Sequence, residues 1–72
     1  MRDAEIIFLV EEDVEGGLTA RAIGQGIFTQ ADTLELLKVN IKDALVCHFG
    51  DLSKIPAIVR LHIVHEEMLS YA

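Results

Sequence analysis

The 72 residues leave room for one domain, and a domain this short hides only about 60% of the surface that its unfolded chain exposes. Apolar residues make up 51% of the chain, mean hydropathy is +0.37, and the net charge is -6 with a pI near 4.8. A disulfide scaffold is excluded by the single cysteine, Cys47, and autonomous nucleic-acid binding by six scattered Lys and Arg in an acidic chain.

Glu5 to Val10 reads as the first strand, with Ile6, Phe8 and Val10 on one face and Ile7 and Leu9 on the other. Apolar character on both faces predicts a central strand buried from both sides. This is the longest apolar run, far below the ~20 residues of a spanning helix, so no membrane segment is expected. The acidic stretch Glu11, Glu12, Asp13, Val14, Glu15 follows and is read as a solvated hairpin tip, closed by Gly16 and Gly17. Leu18 to Ile23 is the predicted return strand, Gly24-Gln25-Gly26 the next turn, and Ile27 to Gln30 a short third strand.

Asp32-Thr33-Leu34-Glu35 predicts a helix start, with Asp32 capping the first amides and Glu35 reaching back as in a capping box. Leu34, Leu37, Ile41, Ala44, Leu45 and His48 then recur at helical spacing and form the stripe expected to lie on the sheet. Leu36, Val39, Val46 and Cys47 fall on the opposite side. Two readings stay open for them: tolerated surface apolars, or a contact surface between subunits. Gly50 and Pro56 bracket the loop that ends the helix. Ile58 to His65 is the fourth predicted strand, with Val59, Leu61 and Ile63 on one face and Ile58, Arg60, His62 and Val64 on the other, before a tail expected to fray from Glu66 to Ala72.

Two hairpins followed by a helical crossover predict an α+β, two-layer β-β-β-α-β domain. A right-handed crossover sets the fourth strand beside the first, giving a mixed sheet of order 3-2-1-4 under one covering helix. The other sheet face stays open. With more apolar surface than a small core can hide, a homo-oligomer is expected, most simply a dimer.

No constellation of catalytic residues stands out. His62 and His65, three apart on a strand, point to opposite faces and cannot share an ion. His48 is placed on the core-side stripe near the positive-charge-seeking end of the helix. Carboxylates at Glu11 to Asp13, Glu35 and Glu66-Glu67 could be imagined as a metal site. The strand order is that of the first part of a ribonuclease H-like sheet, whose metal-binding acids lie within the first strand, the helix and the fourth strand. Here the first strand is apolar inside and the fourth carries Arg60 and His62, so a two-metal nuclease is not expected. Gly24-Gln25-Gly26 lacks the third glycine and the lysine of a phosphate loop. No cofactor, no metal and no enzymatic activity are expected.

The stretch E-G-G-L-T-A (Glu15 to Ala20), the glycine turn Gly24 to Gly26, A-D-T-L-E (Ala31 to Glu35) and N-I-K-D-A-L (Asn40 to Leu45) together resemble the N-terminal domain of HicB-type antitoxins. The resemblance covers about two-thirds of the chain. It implies a degenerate ribonuclease H-like fold that self-associates and neutralises a small basic toxin, HicA, an mRNA-cleaving ribonuclease, by masking its active surface. A short segment follows the fourth strand where HicB proteins carry an operator-binding domain, so this chain is not expected to bind DNA directly.

The function expected is therefore that of a cytoplasmic HicB-like, antitoxin-type protein acting by protein–protein binding. The alternative is an orphan homo-oligomer with a regulatory or small-molecule-binding role and no toxin. Glu11, Glu12, Asp13 and Glu15 are the candidates for steering a basic partner, Arg60 and His62 for holding it on the open sheet face, and Leu36, Val39 and Val46 for the oligomer interface.

Overall fold

The computed structural model describes residues 5–65, 69 and 70. The elements run β1 (Glu5–Glu12), β2 (Leu18–Ala22), β3 (Phe28–Ala31), α1 (Leu34–Phe49), a single 3-10 turn (Leu52–Lys54) and β4 (Ile58–Ile63). Strand order is β3-β2-β1-β4, with the first two junctions antiparallel and β4 parallel to β1. The α+β architecture predicted from the periodicities is the one observed. The tail predicted from Glu66 falls largely outside the described residues.

Strand alternation decides what the core contains. Ile6, Phe8 and Val10 of β1 are buried beside Ala20 and Ala22 of β2, and Leu37, Ile41 and Leu45 of α1 close over them. The small Ala20 and Ala22, cross-strand partners of Val10 and Phe8, leave room for the large β1 and helix side chains. Each fully buried large side chain contributes about 1.5–3 kcal/mol relative to exposure. Ile7 and Leu9, on the other face of β1, are only half-buried, because a single helix covers a single face. The expected burial of β1 from both sides therefore does not occur within one chain.

Several local boundaries differ from the predicted ones. Glu11 and Glu12 belong to β1, paired with Thr19 and Leu18, so the hairpin tip is only Asp13 to Gly17. There the Gly16 amide donates to the Asp13 carbonyl at 3.0 Å and the Asp13 amide to the Gly17 carbonyl at 3.0 Å. β3 starts and ends one residue later than predicted, since Ala31 pairs with Leu18 in the ladder. That extension makes Asp32 the corner residue and hands the helix cap to Thr33, whose Oγ1 accepts from the Leu36 amide at 3.2 Å. Thr33→Ala should accordingly cost about 1 kcal/mol in a urea melt and Asp32→Ala much less. Equal costs would return the cap to Asp32.

At the other end of α1, Gly50 adopts φ 71° and its amide donates to the Val46 carbonyl. His48 does not join the core stripe but is exposed, its ring edge-on to Phe49 at 5.0 Å, and Phe49 packs against the core instead. The terminal turn has rotated one position from the stripe drawn on the sequence. In the following loop Asp51 caps the 3-10 turn, accepting from both the Ser53 amide and the Ser53 hydroxyl at 2.9 Å. The Ser53 backbone and side-chain donors hold its carboxyl below the usual range, so the small stabilisation of this turn is present at neutral pH and lost as pH falls through that lowered pKa.

Candidate functional site

Two surfaces carry the residues singled out in the sequence, and the fold separates them. The first lies where the β1–β2 hairpin tip meets the start of α1. β3 joins these regions: its partner β2 follows the tip, and its own end runs into the helix. The result is a groove of about 450 Å³ whose walls include Asp13 and Glu15 from the tip, Asp32 from the corner, and Leu36 and Asn40 from the helix. Asp13 is held in place because its Oδ1 accepts from the Glu15 amide at 3.3 Å. Asn40 Nδ2 donates to the Gln30 carbonyl at 3.0 Å, fixing the helix against the outer edge of β3.

Three carboxylates thus share the groove with one exposed leucine, Leu36. Among the described residues no three His, Cys, Asp or Glu side chains converge closely enough to hold a metal ion. Separated carboxylates beside an apolar side chain suit a larger cation with a hydrocarbon stem, such as a lysine or arginine of another chain. The structure thereby merges two groups kept apart in the sequence reading, since Asp13 and Glu15 were assigned to a partner and Leu36 to an oligomer. Val39 and Val46 are exposed along α1 but do not line this groove. Asp32, Gln30 and Asn40 were missed. Asp32 looked like a cap, and nothing local marks the other two.

Glu11 leaves this group, and Glu12 lines an adjoining depression with Asp13 and Asp32 rather than the groove itself. Successive strand residues face opposite sides, and Glu12 Oε1 is engaged with His65 Nδ1 at 2.9 Å. Glu11 faces the open sheet surface, where its strand partner is Thr19.

That open surface is the second site. Pairing aligns Phe28, Arg21, Leu9 and His62 in one row across all four strands, with Ile7 beside Arg60 in the next. Phe28 and Ile23 are well exposed, and neither was picked out beforehand. Arg60 is on this face as expected, but its Nε and Nη2 both donate to Glu5 Oε2, at 3.2 and 3.0 Å. The pair is solvent-exposed, which limits it to roughly 0–1 kcal/mol. It also means that a partner would meet Arg60 already paired with a carboxylate but still exposed. His62 is exposed beside it.

Among the described residues no helix is long and apolar enough to cross a membrane. No family model matches the chain, and no solved structure does. Two curated relatives do. A UPF0150 protein of Archaeoglobus fulgidus is 61% identical over 46 residues, 64% of this chain and 68% of the relative. A UPF0150 protein of Thermotoga maritima is 45% identical over 47 residues, 65% of this chain and 67% of the relative. At that identity over two-thirds of each relative, the chain belongs to the UPF0150 family of small proteins.

Proposed function

We propose that this chain is a HicB-like, antitoxin-type protein that neutralises a basic, HicA-like mRNA-cleaving toxin by covering it. The observation that carries this reading is the groove lined by Asp13, Glu15 and Asp32 together with Leu36. Carboxylates at its rim draw in a cationic surface, and the leucine gives the arriving side chain an apolar wall. The net charge of -6 extends the same attraction over the whole molecule, and it disfavours direct contact with operator DNA. The exposed Phe28 and Ile23 favour a second reading, a homo-oligomer with a regulatory or small-molecule-binding role and no toxin.

The test is to purify the product of a neighbouring reading frame that codes for a small basic chain and to follow its cleavage of mRNA. Addition of this protein at equimolar concentration should abolish cleavage. Unchanged cleavage, or the lack of any such reading frame, overturns the antitoxin reading. The triple variant Asp13→Asn, Glu15→Gln, Asp32→Asn should then slow association about 10-fold at low salt and flatten its salt dependence, with little effect on dissociation. An unchanged association rate would remove the groove from the interface.

A further inference from the structure

The two edges of the sheet are finished differently. β3 is four residues long, and the side chain of Asn40 reaches over to its Gln30 carbonyl. β4 is six residues long and forms the opposite edge, and among the described residues α1 packs against β3 and β2 and makes no close backbone approach to it. Ile58 and Ile63 are 51% and 54% exposed, and Val59 and Leu61 between them are only partly covered. β4 contains no proline, lysine or carboxylate of the kind that protects an edge from pairing, and its charged side chain, Arg60, is turned to Glu5 on the neighbouring strand.

The direction of its backbone groups follows from one bond. The Val64 amide donates to the Val10 carbonyl at 2.8 Å, so the even-numbered residues of this segment turn their backbone towards β1. Val59, Leu61 and Ile63 consequently turn theirs outward. We propose that β4 is the seam of a homodimer, in which the outward groups of one copy pair antiparallel with those of a second copy about a two-fold axis at Leu61. In that register Leu61 faces its own counterpart and Val59 faces Ile63 of the other copy, which forms about six inter-chain hydrogen bonds.

The register is selected by charge and by pairing. A shift of two residues one way sets Arg60 directly against Arg60 of the second copy. The same shift the other way sets His62 against His62 and leaves one outward residue of β4 outside the paired strands. With Leu61 on the axis, Arg60 lies opposite His62 instead of a second guanidinium and keeps its bond to Glu5. A second copy satisfies these conditions without any further component, since the strand is complementary to itself. The inference does not rest on the antitoxin reading. It also leaves the hairpin groove and the open sheet face free for other partners.

Edge pairing without a large apolar patch gives an interface at the low end of the usual size range, below about 1,200 Å². Sedimentation velocity on the whole chain should therefore show a monomer–dimer equilibrium across micromolar concentrations. In a Cys47→Ser background, Leu61→Cys should become a covalent dimer on mild oxidation, because hydrogen-bonded partners lie about 5.5 Å apart between Cα atoms, within disulfide range. Val59→Cys and Ile63→Cys should not, their own counterparts being about 14 Å away. Ile63→Pro removes one outward amide. It should keep the circular dichroism of the parent and lose the dimer. A monomer at every concentration overturns the proposal. So does a dimer that survives Ile63→Pro, or cross-linking through Val59→Cys rather than Leu61→Cys. A dimer unaffected by these changes would lie on the open sheet face or α1 instead.

Discussion

Phe8→Ala should remove about 3–5 kcal/mol and bring the chain close to its unfolding midpoint, whereas Phe28→Ala should change stability by no more than about 0.5 kcal/mol. Both are phenylalanines on strands of the same sheet, and burial alone separates them. Phe8 is fully buried at 0% exposure, on the face of β1 covered by α1, while Phe28 is 62% exposed on the open face of β3. Emptying a packed phenylalanine site costs about 3–5 kcal/mol through lost burial and the cavity left behind. A chain of this length has a total stability of only about 5 kcal/mol to draw on. Urea melts followed by circular dichroism, at one fixed protein concentration so that any association is held constant, would measure both variants. A folded Phe8→Ala chain with a midpoint near that of the parent would mean that β1 does not form the core. Since Phe28→Ala is stability-neutral, any loss of partner binding in that variant can be assigned to the open face rather than to unfolding.

The second large effect is expected at the hairpin. Gly16 and Gly17 both have positive φ, at 100° and 83°, so an alanine at either position is strained. Only Gly17 is also crowded. A Cβ there would lie 2.9 Å from the backbone oxygen of Ala31, whereas one at Gly16 would meet nothing within 4 Å. The contact at Gly17 arises because Leu18, the next residue, pairs with Ala31, bringing the two backbones together at the start of β2. Gly16→Ala should cost about 1–2 kcal/mol from conformation alone. Gly17→Ala should cost at least about 1 kcal/mol more, because a paired backbone cannot move away without breaking the β2–β3 ladder. Urea midpoints for the two variants decide the matter, and equal shifts would remove the close approach. Because the hairpin carries Asp13 and Glu15, Gly17→Ala should also weaken whatever binds the groove, beyond its effect on stability.

The contrast between these two sites shows how much of the molecule was legible in its sequence. Phe8 could be placed with Ile6 and Val10 on one face of a central strand, but Ile7 and Leu9 are equally apolar, and only the position of α1 decides which face is the core. Leu37, Ile41 and Leu45 could be placed against the sheet from their helical spacing. The positive φ of Gly16 and Gly17 was foreshadowed by their place between two strands. Which of the two is crowded was not, since that depends on the register with β3, and a one-residue slip exchanges every neighbour. The same sensitivity moved the cap from Asp32 to Thr33 and replaced His48 by Phe49 at the end of the core stripe. Both changes are shifts of a single residue at an element's end, where periodicity has the fewest repeats to average over.

By itself, the sequence determined the element order and the sheet order β3-β2-β1-β4. These follow from periodicity, turn residues and the handedness of a crossover, all of which act locally or are the same in every chain. Only the tertiary structure decided which polar groups meet. Asp13, Asp32 and Asn40 share a groove because β3 carries the helix start to the hairpin tip, and Arg60 is joined to Glu5 because β4 lies parallel to β1 in one particular register. Such meetings depend on the placement of whole elements, and side chains far apart along the chain carry no mark of the neighbour that they will find.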